Sequence, residues 1–251
     1  MPKDARVSYQ SRRRKVLPRN KRLSGWAEFF CASVVFLLSH SLPARPAMRV
    51  GLTRWLGGRV YLVAYSAVSL AVLAWLIVAA DRAPFLGLWT WSPEHVWAAN
   101  ILMLFAILLA IGGTGIANPF SIGGISARSF VPSQPGIVAV TRHPLLWSFA
   151  FWSLAHLLAN GDLAHVLLFG SLGAFSILGI LVMETRARRR MDVDWSRLSA
   201  GTSVVPFYAL LAGKARRAEP VGWRVLLAPP IWAALVWLHG PVVGVSPLPP
   251  L

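Results

Sequence analysis

Histidine offers this chain its widest choice of chemistry, and three of its histidines lie in or beside apolar segments. His143 and His156 stand near the two ends of a strongly apolar run, and His40 stands late in another. A charged side chain at the centre of a bilayer costs about 2.5–3.5 kcal/mol on insertion scales, so such residues are rare there. An imidazole in this setting hydrogen-bonds to a neighbouring helix, which is its ordinary structural role, or binds a metal or haem, or transfers protons.

His143 and His156 are too far apart on one helix to bind the same iron. They are 13 residues apart, which on one α-helix is about 20 Å of rise and places them on opposing faces. A nitrogen ligand lies about 2 Å from its metal, so a second ligand for His156 has to come from another helix. His40 is the main candidate, because histidines facing one another across a helix bundle can hold a cofactor.

The helix face around His156 suits a flat apolar ligand. The neighbouring positions on that face are Phe149, Trp152, Ser153 and Asn160. Aromatic walls with a polar donor fit a porphyrin, and they fit ordinary helix packing equally well.

The composition indicates the environment of these histidines. Of the 251 residues, 56% are hydrophobic and only 14% are charged, whereas a soluble domain carries about 25% charged residues. No segment shows the period-two alternation of a membrane β-barrel, and open strands cannot satisfy their backbone groups in lipid. We therefore predict an all-α, polytopic membrane helix bundle. The lone cysteine, Cys31, excludes an intrachain disulfide and c-type haem attachment.

Six apolar segments are predicted to cross the bilayer, and the fourth is at the lower length limit for doing so. Pro144 is a good first helical residue, which places His143 at the N-cap of the fourth helix. Asp162 follows a tight turn and is predicted to cap the fifth helix and to hydrogen-bond locally with His165. The segments lie near residues 24–42, 60–80, 96–117, 144–160, 163–183 and 223–240.

The charge pattern predicts the orientation. The chain has a net charge of +16, and its residues 1–23 form a basic tail that we predict to be disordered and to touch anionic headgroups. The tail lacks interleaved aromatic residues, so we expect no nucleic-acid binding. Three internal loops are basic, and the positive-inside rule places them in the cytoplasm of a bacterial inner membrane. The tail argues for the reverse, and the three loops are preferred because they agree with one another.

This topology leaves the partner of His40 open. His40 would lie near the cytoplasmic end of its helix, and His156 towards the opposite end of its own. Straight helices would hold these two residues too far apart to share one iron. Either a helix is displaced or broken near the Gly- and Pro-rich segment 118–144, or His40 pairs with His143 instead.

Several motifs together resemble the NnrU family of membrane proteins, over about residues 24–251. The motifs are residues 39–41, 136–144, 155–162, 202–207 and 238–241. The resemblance extends to the related plastid zeta-carotene isomerases, membrane haem b proteins that isomerise a cis double bond. It implies haem b with His40 and His156 as axial ligands, and places His143 in an adjacent motif that is structural or shapes the site.

The resemblance implies two kinds of role. One is linked to nitrogen-oxide or denitrification metabolism, with membrane redox or denitrification proteins as partners. The other is isomerisation of an apolar small molecule dissolved in the bilayer. A third, non-enzymatic role is that of an assembly or regulatory component of the membrane.

The Arg-His-Pro element at residues 142–144 also resembles membrane methyltransferases, in which it helps to bind S-adenosylmethionine together with acidic residues near a later span end. Here Glu184 is the only acid at that point and is followed by Thr185 and Arg186. Because the second acid is missing, a membrane methyltransferase is the alternative to the haem-binding interpretation.

Overall fold

The computed structural model describes residues 19–43, 45–122, 129–215 and 223–249. The predicted disordered tail falls almost entirely outside these ranges and stays a prediction. Within them the chain is α-helical, with one isolated antiparallel bridge between Gly87 and Asp162. This confirms the all-α fold class.

The helices are numbered in chain order. They are α1 Arg19–Ser41, α2 Pro46–Leu56, α3 Gly58–Arg82, α4 Pro93–Gly113, α5 Pro144–Ala159, α6 Leu163–Met191, α7 Trp195–Ser199, α8 Tyr208–Leu211 and α9 Ala228–Val243. Short 3₁₀ turns precede α5, α7 and α9, at Gly136–Ala139, Asp192–Asp194 and Trp223–Leu227.

The helices match the six predicted spans. In the described residues, five helical segments are long and apolar enough to cross a membrane, and α5 is a shorter apolar helix. The protein is therefore a multi-pass helical membrane protein. Two features differ from the sequence-based expectation. α6 continues to Met191, because the arginines after residue 183 are good helix formers, and α2 forms a separate helix in the first loop.

The chain divides into two compact units. The first comprises Val7–Thr90 and Gly161–Leu168. In it α1 packs against α3, with Ala32 and Ala79 completely buried. The loop before α4 is fastened to the turn before α6, since the Gly161 carbonyl accepts from the backbone N–H groups of Leu88 (2.7 Å) and Trp89 (3.2 Å).

The second unit comprises the described residues within Trp91–Asn160 and Phe169–Leu251. Its most extensive helix contact is between α4 and α5, where the Ser148 hydroxyl donates to the Ala106 carbonyl at 2.7 Å. α6 approaches α5 through small residues: a Cβ on Gly173 would lie 3.4 Å from that of Ser153.

Candidate functional site

The Arg-His-Pro element forms the start of α5, as the sequence predicts. Pro144 is the first helical residue and His143 is the N-cap, although the His143 side chain makes no capping hydrogen bond. The ring of proline fixes φ near −65° and removes an N–H that would otherwise be unsatisfied, so it favours a helix start. This local geometry turns Arg142 and His143 away from the helix axis and into the interior of the second unit.

Arg142 and Glu184 form a buried, two-pronged ion pair. Arg142 Nη2 lies 2.6 Å and Nε 3.1 Å from the two carboxylate oxygens of Glu184. The third nitrogen, Nη1, donates to the carbonyl (3.0 Å) and hydroxyl (3.1 Å) of Thr202. Arg142 is only 9% exposed. Planar guanidinium groups match carboxylates in this bidentate way, and charge-assisted bonds of this kind are among the strongest in proteins.

His143 completes this buried polar cluster. Its ring is 0% exposed, and its Nε2 lies 3.0 Å from Glu184 Oε2. Its Nδ1 has no hydrogen-bond partner among the described residues. The Glu184 carboxylate thus accepts hydrogen bonds from both Arg142 and His143. Since a carboxylate can only accept, the proton of this bond is on His143 Nε2.

Residues 202–207, one of the motifs noted in the sequence, hold the cluster through their backbone. The Ser203 carbonyl accepts from the Arg142 N–H at 2.8 Å. The Val204 carbonyl accepts from the Thr141 hydroxyl at 2.7 Å and from Trp147 Nε1 at 2.9 Å. Through these carbonyl acceptors, residues 202–207 hold the Arg-His-Pro element in place.

Aromatic rings cover the guanidinium. The Arg142 carbon Cζ lies 5.7 Å from the ring centre of Phe120 and 5.5 Å from that of Trp195. Arg188 lies 5.0 Å from the same Trp195 ring. Cation–π contacts of this kind gain strength where water is excluded. Trp195 stands in no recognisable spacing with Arg142, and Thr202 is marked in the sequence only as part of the motif 202–207, with no link to Arg142.

His156 lies late in α5, at the opposite end of that helix from His143. Its Nδ1 is 2.8 Å from the carbonyl oxygen of Trp152. Its ring centre is 4.9 Å from those of both Trp152 and Phe169. Asn160 donates to the His156 carbonyl at 2.8 Å. Trp152 of the predicted face therefore lies against His156, whereas Phe149 is exposed. Phe169 of α6 is a further aromatic neighbour that spacing along α5 could not indicate.

His40 lies in the last turn of α1, in the first unit. Its Nδ1 is 2.9 Å from the carbonyl oxygen of Phe36, and the two rings are 4.0 Å apart. Tyr65 of α3 donates its hydroxyl to the His40 carbonyl at 3.1 Å. His40 thus repeats the arrangement of His156: an Nδ1 bond to the carbonyl four residues earlier, with an aromatic side chain at that position.

The other histidines have local roles. His165 Nδ1 lies 2.8 Å from Asp162 Oδ2, and Asp162 accepts from the His165 N–H, which confirms the predicted cap and local bond. His239 Nδ1 is 2.7 Å from the Val245 carbonyl. The described residues contain no group of three or more His, Cys, Asp or Glu side chains able to hold a metal ion. An iron held by two axial histidines requires no such group.

Comparison with known proteins adds a family and two relatives. A family model described as NnrU protein matches residues 28–247. The chain is 24% identical over 184 residues to a chloroplastic 15-cis-zeta-carotene isomerase of Zea mays, covering 72% of this chain and 50% of that protein. It is 24% identical over 166 residues to the Arabidopsis thaliana protein of the same name, covering 63% and 44%. No solved structure matches. The chain thus spans about half the length of the curated relatives it matches.

Proposed function

Because this chain belongs to the NnrU family, we propose that it is a membrane protein that binds haem b through His40 and His156 and isomerises a double bond of an apolar substrate. The similar plant proteins are named as isomerases of 15-cis-zeta-carotene. A substrate of that kind dissolves in the bilayer, where both histidines have their helices.

The observation that carries the proposal is that Nδ1 of each of these two histidines lies within hydrogen-bond distance of a backbone carbonyl oxygen. A carbonyl oxygen cannot donate, so each Nδ1 that faces one must carry the proton. His40 faces the Phe36 carbonyl and His156 faces the Trp152 carbonyl. The lone pair is therefore on Nε2 in both residues. Haem-ligating and metal-ligating histidines use this arrangement, with one ring nitrogen donating to the protein and the other directed to the metal.

The aromatic residues beside the two histidines support a flat ligand. Phe36 lies against His40, and Trp152 and Phe169 lie against His156. Rings of this kind offer apolar surface and fix the orientation of an imidazole plane. When bound, haem b would supply an iron whose redox state and axial ligation can change. The chain itself would orient the ligand nitrogens and exclude water.

His143 has a different place in the proposal. Its Nε2 is engaged with Glu184 and its ring is fully buried. This supports His156, and not His143, as the partner of His40. We assign His143 a positioning role: with Arg142 it fixes the start of α5, the helix that carries His156 thirteen residues later.

The same contacts count against a methyltransferase. A cofactor such as S-adenosylmethionine would need donors from the Arg-His-Pro element. All three guanidinium nitrogens of Arg142 already have acceptors within the protein, and His143 has no exposed surface. The link to nitrogen-oxide metabolism stays a prediction from the resemblance.

We expect the purified chain, produced with haem supplied, to show a Soret band and the α and β bands of a six-coordinate b-type haem. His40→Ala and His156→Ala should each abolish or shift these bands, because one axial nitrogen is lost. His95→Ala is the matched control. His95 lies at the start of α4, and its N–H belongs to the Ser92 cap, so its replacement should leave the spectrum unchanged.

Absorption spectra of the oxidised and reduced protein make this measurement. If the folded wild type shows no Soret band when haem is supplied, haem binding is refuted. Equal loss in all three variants would point to misfolding, which tryptophan fluorescence and gel filtration in detergent would reveal. A haem-free wild type that captured a reductase from the same membrane would favour the assembly role.

A further inference from the structure

The short helix α2 combines exposed apolar side chains with exposed arginines. Met48 and Trp55 are seven residues apart, so they share one face of the helix. They are 44% and 82% exposed, and α2 has no buried residue. Leu52 and Leu56 are partly buried, and α2 packs along α3. An exposed tryptophan of this kind is typical of the boundary between hydrocarbon and water.

The position of α2 places it at that boundary. It begins at Pro46, five residues after the end of the apolar helix α1, and ends at Leu56, so that Gly57 alone separates it from α3. Gly57 joins α2 to α3 with φ +81°, a conformation that permits the abrupt change of direction. A helix held between two membrane spans by such short connections must lie close to the membrane surface.

The charge of α2 and its flanks is of one sign. Arg45, Arg49, Arg54 and Arg59 are all exposed. Residues 43–60 contain no acidic side chain, and none of the four arginines forms an ion pair with any described residue. Each arginine near an anionic membrane surface contributes about 1 kcal/mol of attraction.

An exposed apolar face of α3 lies beside this charge. Val60, Val63 and Ala64 form it, and Arg59 adjoins it. Such a face next to a guanidinium suits a phospholipid, because the acyl chain can lie against the valines while the phosphate meets the arginine.

We propose that α2 lies in the membrane–water interface and that Arg45, Arg49, Arg54 and Arg59 bind anionic phospholipid headgroups. Met48 and Trp55 reach into the acyl-chain boundary and hold the helix at a fixed depth. The site selects anionic over zwitterionic lipid and does not depend on haem.

The first test measures lipid selectivity. The full chain is reconstituted in nanodiscs of phosphatidylcholine with 20% phosphatidylglycerol, and the lipids retained by the protein are measured by native mass spectrometry. We expect the wild type to retain phosphatidylglycerol preferentially. Arg49→Gln/Arg54→Gln should lower that preference by about fivefold per arginine removed. Arg82→Gln is the matched control, because Arg82 lies at the other end of α3 and already pairs with Glu28 at 3.0 Å.

The second test measures depth. Cys31 is the only cysteine, so Gly51→Cys in a Cys31→Ser background carries one fluorescent label. Gly51 lies beside the Met48–Trp55 face, and a Cβ there would meet no other atom within 4 Å, so both apolar side chains are kept. We expect quenching by lipids brominated near the headgroup and little quenching by aqueous iodide. Strong iodide quenching would place α2 in water and overturn the proposal. The proposal would also be overturned if Arg49→Gln/Arg54→Gln and the Arg82→Gln control changed the preference for phosphatidylglycerol by the same amount.

Discussion

Arg142→Met is expected to lower the free energy of unfolding by about 3 kcal/mol, because the Glu184 carboxylate, whose side chain is only 16% exposed, loses its permanent counter-charge and keeps His143 as its remaining partner. The variant also removes the two bonds to Thr202 and the cation contacts with Phe120 and Trp195. Unfolding is measured in detergent by tryptophan fluorescence, with temperature or sodium dodecyl sulfate as the denaturant. The midpoint should fall sharply relative to the wild type.

A double variant separates the burial of charge from the loss of packing. Arg142→Met/Glu184→Gln removes both charges, and the amide oxygen that replaces the carboxylate can still accept from the buried His143 Nε2, so this variant should be more stable than Arg142→Met alone. Arg197→Gln is the control for losing an arginine. It breaks the ion pair with Asp194. The side chains of Arg197 and Asp194 are 66% and 55% exposed, and exposed ion pairs contribute about 0–1 kcal/mol to stability. Equal stability of Arg142→Met and Arg197→Gln would refute the structural role of the cluster.

Gly161→Ala is expected to destabilise the first unit by about 3 kcal/mol or more, at the upper end of overpacking substitutions. A Cβ at residue 161 would clash with the carbonyl oxygen of Trp89. That oxygen belongs to the backbone and cannot move without disturbing the bonds from Leu88 and Trp89 to the Gly161 carbonyl. The same unfolding assay checks the result.

Gly170→Ala provides the matched control for this substitution. Gly170 lies within α6. A Cβ added there would lie 3.7 Å from its nearest neighbour, Leu157 Cδ1, which is an ordinary van der Waals contact. Alanine is about 1 kcal/mol better than glycine inside a helix, so this variant should be as stable as the wild type or more so. A stable Gly161→Ala protein would show that the loop and the turn do not pack as described.

The helical fold was largely predictable because it depends on local properties of the chain. Long apolar segments, proline at helix starts and the Asp162 cap mark their own ends, and α3, α4, α5 and the Asp162–His165 bond follow the prediction. The exceptions have physical causes. α2 carries no long apolar run, and α6 extends into arginine-rich sequence because backbone helicity does not end where hydrophobicity ends.

The candidate site was predictable only in part. His40, His143 and His156 stand out because ionisable residues are rare in apolar sequence, and the aromatic neighbour at i−4 of His156 follows from helical spacing. Glu184 stood out only as the single acid of the methyltransferase interpretation, and not as the acceptor for Arg142 and His143. Glu184 is 42 residues from Arg142 along the chain, and Thr202 is 60. Pairs so distant are joined by packing, which no local pattern records.

The sequence by itself determined that this is a helical membrane protein of the NnrU family, and it marked His40, His143 and His156 as the candidates for chemistry. These properties depend on composition, periodicity and motifs, which each segment carries alone. Only the tertiary structure decided how those histidines differ. His143 is bonded to a buried carboxylate, whereas His40 and His156 each give their Nδ1 proton to a carbonyl in their own helix. That difference arises because a hydrogen bond depends on which groups folding brings within 3 Å, and not on the type of residue.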